Sequence, residues 1–467
     1  MMNSPRIASL AAVLTAALLQ PAIAADPVHL GSRLELFADS YLVGKLTGDA
    51  KLQLHEPEPQ EVALVTGQAW EGNTCAYYTI FRDVKKNRMY YRGSHWNTKT
   101  RKATHREVTC YAESTDGIHW TKPILGLFEF NGSKKNNIVW DGIGTHCFTP
   151  FKDANPARSP DARYKAISRG RPRAKKGLYA FQSADGIHWT LMSKGPVITV
   201  GASDSQNLAF WDPARKRYVA YYRNFRGGKR DIMTCTSKDF IHWTKPQYLK
   251  IGGAPRQHLY TNAVRPYPRA PHIKIAFPTR YIPQGSQVEP TFMLSRDGVN
   301  FFRWERPVIP MTAPKDRAGN RSNYMTWGLL QLPGKENEYS VYATEAYYTG
   351  PDSRVRRFTY RVDGFVSVRA GSKGGQLVTR PLTFDGKSLV VNFETKSTGR
   401  IRVELQDAAG RPLKGFALAD GKPLTGDSIK QTVQWKAGSD VSQLAGKTIR
   451  VRFVMRNADL YSMRFAK

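Results

Sequence analysis

From Cys75 onward the chain is a succession of short stretches in which apolar and polar positions alternate. They include CAYYTIFRD (75–83), NRMYYRGSHW (87–96), EVTCYAES (107–114), NLAFWDP (207–213), RYVAYYRNF (217–225) and DIMTCTS (231–237). A period of two, with aromatic and β-branched residues bounded by Gly, Asp and Pro, predicts short half-buried strands joined by tight turns. The fold class it predicts is all-β.

The strands are punctuated by a recurring motif, S-x-D-G-x-x-aromatic. It stands at Ser114–Trp120 and Ser183–Trp189, recurs with Phe240 in the Gly slot at Ser237–Trp243, and more loosely at Ser295–Phe301. A worn copy, Val362-Asp363-Gly364-Phe365, ends the series. Copies about 60 residues apart mark repeated structural units. Each unit reads as an apolar strand, an Asp turn, a Tyr- or Phe-rich strand, a third strand, the D-G turn and a short last strand. Four strands repeated five times predict a five-bladed β-propeller, which protects its sheet edges by radial repetition. Asp and Gly adopt the positive φ angles of tight turns, and the aromatic packs between neighbouring blades, so the motif is structural. His119, His188 and His242 belong to it and resemble a metal cluster only if the repeat is overlooked. From about Gly374 the repeat stops, and SLVVNFET (388–395), IRVELQDAAG (401–410) and TIRVRFVMR (448–456) alternate as strands of a predicted C-terminal β-sandwich. The expected organisation is a signal peptide over 1–25, the propeller over 26–370 and the sandwich over 371–467.

The leader carries Arg6, an apolar run from Ile7 to Leu19 and the small-residue site Ala22-Ile23-Ala24, which predicts export. No later segment has the ~20 apolar residues of a membrane span. Lys and Arg number 70 against 38 acids, a formal charge of +32, which favours polyanionic partners. Nucleic acid fits poorly, because the basic residues are dispersed without a recognisable binding module. A carbohydrate bearing sulfate or uronic acid groups fits the charge. Cys75, Cys110, Cys147 and Cys235 are far apart and show no zinc spacing; disulfides and buried thiols both remain open. No cofactor or metal site is expected.

The repeat also sorts the carboxylates, since a turn needs the same residue in every blade and an active site needs each catalytic group once. Asp83, Asp153 and Asp212 recur after the first strand, and Asp116, Asp185, Asp239, Asp297 and Asp363 recur in the D-G turn. In a propeller the innermost strands start at the face that carries the site, and the second strands return to it. Glu71, Asp204 and Glu345 fall at that face without counterparts in other blades and are the candidate catalytic acids. Glycosidic cleavage commonly pairs a carboxylic acid with a second carboxylate. Asp39, Asn73, His95, His146, Gln206, Asn207, Asn262, Arg280 and Arg321 are the candidate substrate-binding residues. Glu107, Asp231 and Glu289 recur at the start of the third strand and are assigned to the rim.

WEGNT, YYRGSHW, EVTCYAESTDGIHWTKP, GTHCFTPFKD, DSQNLAFWDP, DIMTCTSKDF, HLYTNAVRPY and RVDGFVSV together resemble proteins similar to the amino-terminal domain of glycoside hydrolase family 32. That family is a five-bladed propeller clan related to family 43. The resemblance covers nearly all of the chain beyond the leader and implies a carboxylate-dependent glycosidase. The W-M-N-D-P-N-G, R-D-P and E-C motifs of family 32 enzymes are not intact here, so fructan hydrolysis is not implied. Asp204 is similar in position to the family's middle acid, whereas Glu71 and Glu345 are placed by topology alone. The leading expectation is a secreted glycoside hydrolase acting on an anionic polysaccharide or oligosaccharide. The alternative is a glycan-binding propeller without catalysis. A sialidase is disfavoured because its Asp-box spacing differs, and a glycoside phosphorylase would need a phosphate pocket.

Overall fold

The computed structural model describes residues 26–310 and 323–467; the predicted leader and Arg321 lie outside them. The described residues form an all-β structure with three short 3-10 turns. Its sheets take a propeller-like arrangement of blades. The first sheet is an antiparallel meander of Ala76–Asp83, Lys86–Gly93, Val108–Ser114 and Ile138–Trp140. The second contains Thr149–Lys152, Tyr164–Arg169, Leu178–Ser183 and Thr190–Leu191, and the third Leu208–Asp212, Arg217–Arg226, Lys229–Ser237 and Gln247–Tyr248. A fourth, larger sheet has Arg265–Tyr267 as its inner strand. A fifth joins Glu338–Glu345 and Arg354–Arg361 to the early strand Glu58–Val65. Bridges Met325–Ala343 and Leu330–Ser340 lay residues 325–330 along the inner side of this last sheet. Trp327 also pairs in parallel with Thr79, so the inner strands of the first and last sheets are hydrogen-bonded together.

The motif folds as a turn with one geometry. Ser114 Oγ donates to Asp116 Oδ1 (2.9 Å) and accepts from Gly117 N (2.8 Å), while Asp116 Oδ1 also accepts from the amides of Ile118 and His119. His119 Nδ1 closes on Asp116 Oδ2 at 2.7 Å, and His188 and His242 do the same with Asp185 and Asp239. Each histidine therefore caps its own turn. As expected, a short last strand follows the turn in the second and third sheets, Thr190–Leu191 and Gln247–Tyr248, whereas in the first sheet that strand comes from Ile138–Trp140.

These turns are where neighbouring sheets meet. Tyr342 of the fifth sheet donates to Gly117 O, Tyr90 of the first to Gly186 O and Tyr221 of the third to Gly298 O. Trp120 and Trp189 pack edge-on against Tyr342 and Tyr90. Between the second and third sheets, Phe240 takes the Gly position at φ 71° and packs on Phe151 and Tyr218. A buried phenol thus satisfies its hydroxyl on a turn carbonyl, which at Gly117 and Gly186 also accepts from the indole N–H of the motif's own Trp.

The C-terminal strands hydrogen-bond as part of a ten-stranded sheet dominated by Ser388–Asp407 and Ile449–Ala466. Four early strands, Val28–Gly31, Glu35–Leu36, Val43–Gly48 and Lys51–Leu54, belong to this sheet and not to the blades. The expected boundary at residue 26 therefore does not follow the strand pairing. The reason is visible in the core: Leu30, Phe37 and Leu42 are buried with Leu389, Phe453 and Trp435. The four cysteines are free and buried.

Candidate functional site

The first residues of the inner strands converge at one end of the channel. Tyr77 stands in a bulge between Ala76 and Thr79 with φ 58°, and such bulges re-aim a side chain. Around it lie His146 (ring centroids 5.7 Å), Cys147 and Tyr347. Tyr324 joins Tyr260 (5.6 Å) to Tyr347 (5.5 Å), and Tyr348 packs on Tyr347 at 4.7 Å. Ser203, Ala263, Ala346 and Tyr348 also have positive φ. Non-glycine residues in this region cost about 1 kcal/mol or more each and collect where function over-determines the backbone.

Arginines thread this tyrosine floor. Arg92 lies 4.8 Å over the Tyr77 ring and donates to Thr74 O (2.8 Å) and Tyr347 Oη (3.0 Å). Arg223 lies 4.8 Å and Arg230 5.1 Å over Tyr260. Burial and the neighbouring Tyr260 and Tyr347 phenols push the Tyr77 hydroxyl well up, so it stays protonated and can donate.

Two acids reach this end. Asp204 pairs with Arg223 and keeps a 44% exposed side chain. Glu107 receives His146 Nδ1 at 3.0 Å on both oxygens and has Arg92 at 3.5 Å. Burial opposes the charge of Glu107, but the His146 hydrogen bond and Arg92 overcome it and hold the carboxyl at about 2. Burial, with Arg92 and Arg169, carries His146 below its ordinary value despite Glu107. The pair is thus an oriented neutral imidazole backed by a carboxylate.

The other two candidate acids are committed elsewhere. Glu71 is 1% exposed and accepts from Tyr91 Oη (2.5 Å), Lys122 Nζ (2.7 Å) and Gln68 N (3.0 Å). Glu345 is fully buried between Arg354 Nε (2.7 Å) and Arg356 Nε (2.5 Å). A buried carboxylate whose oxygens are consumed by half-buried cations has no site for a sugar oxygen or a water. Both stand at the strand ends that the order of elements assigned to them, but their side chains turn into the sheets.

The expected binding residues divide similarly. His146 faces the tyrosines, and His95 sits at the rim, bonded to Thr104 Oγ1 at 3.1 Å. Asn73 ties Trp96 to Gly350 O, and Asn262 bonds Tyr221 O and Val264 N. Asn207 braces its own loop through Ser203 O and Ser205 O. Gln206 donates from the third sheet to Tyr77 O (3.2 Å), Tyr78 O (3.0 Å) and Thr79 Oγ1 (3.3 Å) of the first, bridging two inner strands below the tyrosine floor. Arg280 is held by Glu289 and Gln257. Asp39 pairs with Arg296 (2.8 Å) at the fourth sheet's motif turn, where Arg296 also meets Glu35 (3.0 Å) and covers Tyr41, so it serves the joint with the ten-stranded sheet. Tyr77, Arg92, Tyr347 and the role of Glu107 were not legible as site residues: they recur as ordinary strand or rim positions, and only Arg92 in YYRG offered a clue.

The fold and this end define a β-propeller with a tyrosine- and arginine-lined mouth. No family model and no curated protein sequence matches the chain. Among solved structures it is similar to a β-1,2-mannobiose phosphorylase from Listeria innocua, with 12% identity over 66% of this chain and 97% of that one and a TM-score of 0.47. An α-L-arabinofuranosidase from Podospora anserina shares 6% identity over 66% of this chain and 96% of that one, with a TM-score of 0.45. An endo-1,4-β-xylanase from Bacteroides thetaiotaomicron shares 12% identity over 65% and 97%, also with a TM-score of 0.45. Likeness at this level leaves the chemistry to the residues of the mouth.

Proposed function

We propose that this chain is an exported glycoside hydrolase that takes an anionic polysaccharide or oligosaccharide at the tyrosine-lined mouth of a five-bladed propeller, with the C-terminal sheet folded as a sandwich. The observation that carries the reading is the convergence of Tyr77, Tyr260, Tyr324 and Tyr347 with Arg92, Arg223 and the accessible Asp204. Aromatic faces pack on the apolar faces of sugar rings, and arginines bind sulfate or carboxylate bidentately. Asp204 is the carboxylate that acts on the anomeric side. His146 gives the leaving oxygen a proton from its imidazolium form, which Glu107 orients and stabilises, and recovers that proton from the water that displaces Asp204 from the anomeric carbon. Export rests on the leader and the substrate's charge on the +32 balance.

The burial of Glu71 and Glu345 favours a second reading, a glycan-binding propeller without turnover. Hydrolysis of sulfated, uronic and neutral glycans by the protein, by Asp204→Asn and by His146→Asn separates the two. Reducing ends released by the wild type and reduced at least a hundredfold in both variants support the hydrolase. No release by any of the three, with one glycan retained in affinity electrophoresis, supports the binder.

A further inference from the structure

The channel has a second end that the proposed chemistry does not use. The later halves of the inner strands line a cavity of about 420 Å³, bounded by Phe81, Phe151, Phe210, Trp211, Trp327 and Leu329 with prolines at its lip. The strands run from the tyrosine mouth towards this end, and the Gln206 bridge lies between the two. Its charged residues are Arg82, Lys152 and Arg265, and no Asp or Glu lines it. Lys152 is neutralised by Asp83 at 2.8 Å, and Arg82 donates to Thr115 O.

Arg265 differs from both. It begins the inner strand of the fourth sheet, and its guanidinium has no hydrogen-bond or ion-pair partner among the described residues; Nε is buried without an acceptor. Burial lowers its pKa to about 10, with only the phenol of Tyr339 opposing. At the mouth, by contrast, Arg92, Arg223 and Arg230 each stack on a ring, and the first two also meet an acid. The side chain is half-buried with Nε withdrawn from water, and a cation held so without a counter-charge is disfavoured unless a ligand supplies one. An apolar, aromatic cavity that presents an unpaired guanidinium has the complement of an amphipathic anion: a ring or chain for the walls and a carboxylate for the fork.

We propose that this end of the channel binds a carboxylate carried on an aromatic or alkyl body, with Arg265 as its counter-ion, independently of the tyrosine mouth. The probe is 2-naphthoate, with 2-naphthalenemethanol as its neutral match, titrated calorimetrically into the full chain at pH 7. The wild type is expected to bind naphthoate at least tenfold more tightly than the alcohol, and Arg265→Met to lose that preference while still binding the alcohol. Ala154→Trp, which fills the lip with Arg265 intact, is expected to weaken both ligands and decides the matter if Arg265→Met does not fold. Arg223→Met distinguishes the two ends, since it touches only the mouth. Equal affinity for naphthoate and alcohol in the wild type, no saturable binding, unchanged naphthoate affinity in Ala154→Trp, or loss of naphthoate through Arg223→Met instead of Arg265→Met would each overturn the assignment.

Discussion

At the scale of single residues, partners decide what a carboxylate does. Glu71 and Glu345 are buried and doubly held, so Glu71→Gln and Glu345→Gln are each expected to cost about 3 kcal/mol in denaturant unfolding, because each breaks a largely buried ion pair and its hydrogen bonds. Asp204→Asn leaves Arg223, 2% exposed, without its counter-charge, and is expected to cost about 1–3 kcal/mol in denaturant unfolding while abolishing the hydrolysis proposed above. The Glu107–His146 pair sets a pH dependence. Glu107 titrates at about 2 when folded and near 4.5 when free, so its contribution is whole above 4.5 and lost as pH falls towards 2. His146 is depressed below 6.5 when folded, so protons favour the unfolded chain there, and stability again falls as pH drops below 6.5. Thermal melts should therefore decline from about pH 6.5 downward, and the decline should be shallower in a Glu107→Gln, His146→Asn double variant.

At the scale of the element, the S-x-D-G turn is a self-contained hydrogen-bonded unit, which is why it could be recognised in the sequence. Its Ser and Asp satisfy the turn's own amides, and none of those bonds depends on the rest of the fold. What the turn does for its neighbour depends on the fold entirely. Gly186 has φ 79°, and a Cβ there would meet Tyr90 Oη at 2.9 Å and Arg88 Nη1 at 2.8 Å. Gly186→Ala is expected to destabilise by about 1–3 kcal/mol, through the unfavourable φ and the displaced Tyr90 hydrogen bond. Chemical unfolding of that variant beside Tyr90→Phe checks whether the two effects are coupled, as residues sharing one hydrogen bond should be. The worn fifth copy shows the same device redirected. Asp363 accepts from Tyr267 Oη and Arg269 of the fourth sheet and from Asn392 Nδ2 (3.0 Å) and Ser462 Oγ (2.6 Å) of the ten-stranded sheet.

At the scale of the molecule, that clasp and the early strands join the propeller to its C-terminal partner. Glu35, fully buried, meets His272 (2.8 Å) and Arg296 (3.0 Å) of the fourth sheet while its own strand pairs with Met463 and Ser462. A fragment ending at Ala370 would leave Val28–Leu54 without its sheet and Asp363 without Asn392 and Ser462. It is expected to be insoluble or molten by near-UV circular dichroism, whereas a propeller complete within 26–370 would give a cooperative melt. The sequence by itself determined the strands, their turns, the repeat and the residues excluded from chemistry, because period-two alternation and Asp-Gly turns are local. It also pointed to the end where the inner strands begin, since strand direction follows from the order of elements. Only the tertiary structure decided which acids stay open to a ligand, that Asp39 serves a joint, that Gln206 bridges two inner strands, and that residues 28–54 pair with the chain's other end. Those outcomes depend on which side chains distant in sequence come within about 3 Å of one another, and that distance is set by the packing of whole sheets.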